Sequence, residues 1–137
     1  MSSASIKSVV LVDDNPDDLF INSLVVKKSA LQLEATQFSN PVSALSYLAK
    51  HTSIEPRIIF LDINMPYMDG FMFLERYEQT CAKQNAHDLI VMLTTSMHSE
   101  DRQRAEANAL VRRYLRKPMT VDDLNELVAS LEAQLAN

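Results

Sequence analysis

The chain has 137 residues, a formal net charge of −5 and a pI near 5.1. This acidity argues against general affinity for nucleic acid, which needs clustered positive charge. A single glycine, Gly70, excludes the glycine-rich loops that cradle phosphate, because each of them needs several glycines close together. We expect residues 1–137 to form one domain. One cysteine and the lack of a membrane-length apolar run predict a cytoplasmic protein with no membrane contact.

Short apolar runs alternate along the chain with segments of helical period. Strands are predicted at residues 9–12, 33–38, 58–61, 89–93 and around 114–115, mostly as continuous apolar runs typical of parallel strands covered on both faces. Helices are predicted from 15 to about 29, at 42–50, after Gly70, from about 99 and from 120 onward. This alternation predicts an α/β fold of the (βα)₅ type, an open, doubly wound parallel sheet with helices on both faces.

Polar side chains follow four of the five predicted strands, at the edge where such sheets bind ligands. In chain order they are Asp13 and Asp14, then Asp62, then Thr94 and Thr95, and finally Lys117. Three carboxylates at one edge repel each other and raise each other's pKa, so the arrangement favours a hard divalent cation, and Mg²⁺ fits best. A carboxylate beside a metal, a lysine and a hydroxyl is also a reasonable phosphoryl acceptor. The residues themselves therefore indicate phosphate held by side chains and metal.

Each of these residues also has an ordinary interpretation when it is taken alone. Asp17 and Asp18 are interpreted as acids of a first helical turn, where they stabilise the helix through its dipole. Lys117 alone would be a solvated lysine, and Thr94 alone would be a β-branched residue that ends a strand. The combination at successive strand ends carries the prediction.

Four segments resemble the receiver domain of two-component response regulators. They are VVLVDD at 9–14, FLDINMPYMDG at 60–70, LTTS at 93–96 and YLRKP at 114–118. The resemblance extends over residues 7–135 and implies the flavodoxin-like strand order 2-1-3-4-5. It implies a single-domain response regulator without an output domain, which is not an enzyme beyond its own phosphorylation and dephosphorylation.

The resemblance also assigns roles at the strand ends. Asp62 is expected to accept a phosphoryl group from a phosphohistidine on a histidine kinase or histidine phosphotransfer protein. Asp14, Asp62 and the backbone carbonyl of Asn64 are expected to bind Mg²⁺ directly, or Mn²⁺ in its place, with Asp13 acting through water. Lys117 is expected to pair with Asp62 and then with the phosphoryl oxygens.

Conformational switching is implied by the same resemblance. Thr94 is expected to move toward the phosphoryl group, and Tyr114 is expected to turn into the space that Thr94 leaves. Thr95 is bulkier than the usual Ala or Gly and is expected to narrow access to the acceptor. Pro118 implies a cis peptide bond after Lys117.

Two backbone positions are expected to need left-handed angles. Gly70 ends the loop after the acceptor, where a positive φ would explain the glycine. Asn108 stands where receivers usually carry a glycine, and it is expected to close the fourth helix in the left-handed region.

Output is expected through contact with an unknown downstream protein. Five arginines within fifteen residues predict a docking face for an acidic partner or a second protomer, formed by the fourth helix, fifth strand and fifth helix; they are Arg102, Arg104, Arg112, Arg113 and Arg116. A solvated face without a partner remains an equal alternative.

Two other function classes are weighed against a phosphoacceptor. A pseudo-receiver would act as a phosphorylation-independent binding module, but such proteins usually lose an acid, the threonine or the lysine. A phosphohydrolase of the haloacid-dehalogenase type needs a second aspartate two residues after its nucleophile, where this chain has Asn64. Neither fits the residues as well as a receiver does.

Overall fold

The computed structural model describes residues 5–81, 83, 85–95 and 99–136. Strands and helices alternate along the chain in five pairs. The elements are β1 (Ser8–Val12), α1 (Pro16–Lys28), β2 (Glu34–Phe38), α2 (Pro41–Lys50), β3 (Arg57–Asp62), α3 (Gly70–Thr80), β4 (Asp88–Thr94), α4 (Ser99–Ala107), β5 (Val111–Arg116) and α5 (Val121–Ala136). The strands form one parallel sheet in the order β2-β1-β3-β4-β5. The predicted fold class and strand order are therefore confirmed.

The sheet separates two apolar clusters, because successive side chains of a strand point to opposite faces. Val9 and Leu11 of β1 pack with side chains of α1 and α5 on one face. Val10 and Val12 pack with side chains of α2, α3 and α4 on the other. Burial on both faces explains why β1, β3 and β4 are apolar at nearly every position.

The two edge strands are less buried, and their sequences are correspondingly mixed. β2 is largely exposed, and β5 extends over six residues although only its centre was predicted. Arg112 and Arg116 of β5 are exposed, so an edge strand of this kind lacks the continuous apolar run that identifies the central strands.

Asparagine side chains cap the first two helices. The Asn15 side-chain oxygen accepts hydrogen bonds from the backbone N–H groups of Asp17 and Asp18, at 2.9 and 3.3 Å. Asn40 caps α2 in the same way. Because Asn15 comes directly after the two acids that follow β1, the first turn of α1 lies at the carboxyl end of the sheet.

The prediction of a positive φ at Gly70 is wrong, since the φ of this residue, the single glycine of the chain, is not positive. The glycine is required by space instead. A Cβ on Gly70 would lie 2.7 Å from the Cε of Met92 and 3.0 Å from both the carbonyl oxygen of Asp62 and the Cα of Ile63. Two of these three atoms are backbone, so a side chain at position 70 would displace the segment that carries Asp62.

The expected left-handed conformation of Asn108 is also wrong. Among the described residues, the non-glycine residues with positive φ are Ala30 and Gln32, at 61° and 57°, between α1 and β2. Asn108 turns the chain differently, because its side-chain oxygen accepts a hydrogen bond from the N–H of Leu110 at 2.9 Å.

No helix within the described residues is long and apolar enough to cross a membrane.

Candidate functional site

Three carboxylates meet at the carboxyl end of the sheet. β1 and β3 are neighbours in register, with Val12 opposite Leu61, so the acids that follow these residues emerge side by side. Carboxylate oxygens of Asp13, Asp14 and Asp62 lie within 4.8 Å of one another. Asp13 and Asp62 are buried and Asp14 is half-buried. The acids that the sequence places at two strand ends thus form one cluster.

Lys117 reaches this cluster from the loop after β5. Its Nζ lies 2.6 Å from Asp13 Oδ2, 2.9 Å from Asp18 Oδ2 and 3.3 Å from Asp62 Oδ1. Its backbone N–H donates to the carbonyl of Thr94 at 2.8 Å, and the peptide bond to Pro118 is cis. Burial alone lowers the pKa of Lys117, but hydrogen bonds to Asp13 and Asp18 and the negative charge of Asp62 raise it above its ordinary value. The ammonium therefore stays charged.

Asp18 belongs to the site, although sequence reasoning gave it only a role in the helix dipole. Its carboxylate accepts a hydrogen bond from Lys117 at 2.9 Å, while Asp17 beside it is exposed. Only three residues separate the end of β1 from the start of α1, so the first turn of the helix lies over the strand end. This proximity is the feature of the sequence that could have identified Asp18.

The environment of Asp62 opposes its negative charge. Burial and the charge of Asp13 raise the pKa of Asp62 to about 6, although Lys117 and the N–H of Asn64 act in the lowering direction. That N–H donates to Asp62 Oδ1 at 3.3 Å, while Asn64 itself is exposed. Asp62 is therefore ionised at neutral pH and still retains a higher proton affinity than an exposed aspartate.

The two threonines at the end of β4 have different surroundings. Thr94 is buried and pairs in register with Arg116 of β5, whereas Thr95 is exposed. Thr95 lines a cleft of about 140 Å³ beside Lys117 and Pro118, closed on its other side by α1. Ser96, the last residue of the LTTS segment, lies outside the described residues.

Tyr114 belongs to β5, and its side chain lies at the surface next to α4. Its side chain is half-buried, and its hydroxyl donates a hydrogen bond to Glu106 Oε1 of α4 at 3.2 Å. The guanidinium of Arg102, also on α4, lies 5.7 Å from the centre of the tyrosine ring. These contacts hold the ring at the surface.

Comparison with known proteins decides the family. The sequence profile of the response regulator receiver domain matches residues 9–129. The chain belongs to the response regulator receiver family. Response regulator Rcp1 of Synechocystis sp. is 30% identical over 131 residues, which cover 93% of this chain and 87% of that protein. A response regulator receiver protein of Dyadobacter fermentans superposes with a TM-score of 0.82 at 28% identity, covering 92% of this chain and 97% of that one. A two component response regulator of Cytophaga hutchinsonii superposes with a TM-score of 0.82 at 26% sequence identity, and the match covers 95% of this chain and 98% of that one.

This receiver domain is thus a component of two-component signalling. Receiver domains interact with histidine kinases or phosphotransfer proteins, and they bind Mg²⁺ through an acidic pocket. In this receiver, the cluster of Asp13, Asp14 and Asp62 supplies hard oxygen ligands of the kind that Mg²⁺ prefers.

The five arginines of the receiver do not share one surface. Arg102, Arg112 and Arg113 line a groove of about 500 Å³ between α4 and β5, together with Tyr114. The guanidinium of Arg104 lies instead over the ring of Phe71, 3.9 Å from its centre, on the side of α3. Arg116 is exposed near the end of β5. The expected face therefore excludes Arg104.

The raised pKa of Asp62 predicts a pH-dependent cost of folding in metal-free protein. The carboxyl has a pKa of 3.8 in its unperturbed state and about 6 in the folded receiver, so the folded state binds more protons between these values. The contribution of Asp62 to the free energy of unfolding should therefore fall as pH rises from about 4 to about 6. Asp62→Asn cannot ionise, so its advantage over wild type should grow by about 1–3 kcal/mol between pH 4 and pH 8.

Urea unfolding with a chelator at both pH values measures this advantage. Asp17→Asn removes an exposed carboxylate of the neighbouring helix turn and serves as the control, with no comparable growth expected. If the stability gained by Asp62→Asn is the same at the two pH values, the pH-dependent cost of folding does not come from this carboxyl.

Proposed function

We propose that this receiver accepts a phosphoryl group on Asp62 from a phosphohistidine of a histidine kinase or histidine phosphotransfer protein. The observation that carries the proposal is the contact of one ammonium with the carboxylate cluster, in which Lys117 lies 3.3 Å from Asp62. The ammonium and a hydroxyl can stabilise a phosphoryl group that the carboxylate at the end of β3 accepts. No glycine-rich loop is needed.

The proposed transfer assigns one step to each of these groups. An Asp62 carboxylate oxygen attacks the phosphorus, the P–N bond to the donor histidine breaks, and its electron pair remains on the imidazole nitrogen. Lys117 neutralises negative charge on the phosphoryl oxygens, and Thr94 donates its hydroxyl to one of them. The product is an aspartyl phosphate on the receiver and an unmodified histidine on the donor.

The donor set fits a resident Mg²⁺. Lys117 is the cation in contact with the acids of this cluster among the residues that the structure describes, so the site holds an excess of negative charge. Asp14, Asp62 and the backbone carbonyl of Asn64 would hold the ion, with Asp13 acting through water, and Mn²⁺ would substitute for it. The bound ion would neutralise charge on the transferring phosphoryl group.

The alternative of a phosphorylation-independent binding module gains no support from the site. Both acids after β1, the acid after β3, the threonine and the lysine are all present and lie at one end of the sheet. We propose that the protein lies in the cytoplasm, where its phosphodonors would be. We also propose that the only reactions it catalyses are its own phosphorylation and dephosphorylation.

A mass measurement tests the phosphoacceptor. Wild-type protein incubated with Mg²⁺ and a small phosphodonor should gain about 80 Da, the mass of one phosphoryl group. Asp62→Asn should not gain it, because the attacking carboxylate is missing, whereas Asp17→Asn should gain it normally. An adduct that persists in Asp62→Asn, or the lack of any adduct on wild type with Mg²⁺ present, would rule out the proposal.

Output is proposed to leave through the groove between α4 and β5. Turning Tyr114 inward would break its hydrogen bond to Glu106 and its contact with Arg102, so the groove would change shape with the state of the site. Arg112 and Arg113 border this groove and suit an acidic partner or a second copy of the chain.

Charge reversal tests this output face. If the occupant of the groove is a second copy of the chain, light scattering should detect a dimer of protein loaded with a phosphoryl analogue. The combined Arg112→Glu and Arg113→Glu variant should then raise the dissociation constant of that dimer by about tenfold or more. If the loaded wild-type protein stays monomeric, the second copy is ruled out and an acidic partner is left. Binding of that partner with the charges reversed would contradict the face itself.

A further inference from the structure

The Lys117 ammonium is shared among three carboxylates, and the acceptor is the most distant of them. The separations are 2.6 Å to Asp13, 2.9 Å to Asp18 and 3.3 Å to Asp62. An ammonium has three N–H donors, so three carboxylates can engage all of them. Without a phosphoryl group, Lys117 is therefore held more closely by its other two partners than by Asp62.

Asp13 and Asp18 hold Lys117 in different ways. Asp13 is fixed by a second hydrogen bond, from the N–H of Asn15 at 3.0 Å, and 3% of its side chain is exposed. Asp18 comes from the first turn of α1, and 30% of its side chain is exposed. Water can solvate the Asp18 carboxylate when its ion pair breaks, whereas Asp13 would be left buried without its cation. Asp18 is therefore the contact that Lys117 can give up.

We propose that Asp18 is a positioning residue that holds Lys117 back from the acceptor, so that a phosphoryl group on Asp62 must take the ammonium from Asp18. Asp18 thereby weakens the hold of the site on the phosphoryl group and favours the unphosphorylated state. This inference rests on the proposed function, because it concerns the same lysine and acceptor.

Binding of beryllofluoride, a tetrahedral analogue of the phosphoryl group, tests this competition. Isothermal titration calorimetry at saturating Mg²⁺ gives the dissociation constant without any chemical turnover. Asp18→Asn keeps the size of the side chain and removes the charge, so it should bind the analogue about three- to tenfold more tightly. Asp18→Glu restores a carboxylate that can reach Lys117 and should stay within about twofold of wild type.

Asp17→Asn is the matched control, since it removes the same charge from the same helical turn without touching Lys117. It should also stay within about twofold of wild type. Unchanged or weaker binding by Asp18→Asn, or an equal gain in Asp17→Asn, would overturn the role of Asp18 alone. Failure of wild-type protein to bind the analogue with Mg²⁺ present would overturn the proposed function, and this inference with it.

Discussion

The electrostatics of this site depend on one ammonium, that of Lys117, which contacts three carboxylates while a fourth, that of Asp14, lies beside them. Asp13, Asp14 and Asp62 have oxygens within 4.8 Å of one another, and Asp18 adds a fourth charge through Lys117. At such a separation each pair of like charges repels by roughly 3 kcal/mol at an intermediate effective dielectric constant. Lys117 offsets part of this repulsion, and the remainder is the physical basis of the proposed Mg²⁺ site. The raised pKa of Asp62 is a second consequence of the same excess charge.

The sheet sustains this unfavourable arrangement because its central strands are held firmly on both faces. The two apolar clusters fix β1, β3 and β4, and the parallel register brings the ends of β1 and β3 together. Gly70 contributes locally, since its missing side chain lets α3 start against the backbone of Asp62 and Ile63. The repulsion between the carboxylates of the site is thus offset by apolar packing elsewhere in the sheet, as is common in functional sites.

Much of the fold could be predicted from the sequence. Continuous apolar runs identify the buried central strands, and Asn15 and Asn40 each cap a helix as their sequence context indicates. Most residues of the site could be predicted too, because strand ends of a parallel sheet converge whatever their separation in the chain.

Other features could not be predicted, for physical reasons that differ between them. The predicted positive φ of Gly70 is wrong because a glycine can be required either by backbone conformation or by lack of space, and only the close approach of the Asp62 and Ile63 backbone shows which applies. Asp18 was missed because a first-turn acid is explained by the helix dipole until a lysine from a distant loop is placed beside it. Arg104 was grouped with the other arginines because proximity in sequence does not tell which helix face meets Phe71.

The carboxylate cluster carries more negative charge than Lys117 neutralises, and we therefore expect it to bind a divalent cation. Calorimetric titration of Mg²⁺ into metal-free protein tests it most directly. We expect one ion per chain, with affinity reduced at least about tenfold in Asp14→Asn and nearly unchanged in Asp17→Asn. Absence of Mg²⁺ binding to wild-type protein, or equal affinity in wild type and Asp14→Asn, would show that the carboxylate cluster is not a cation site.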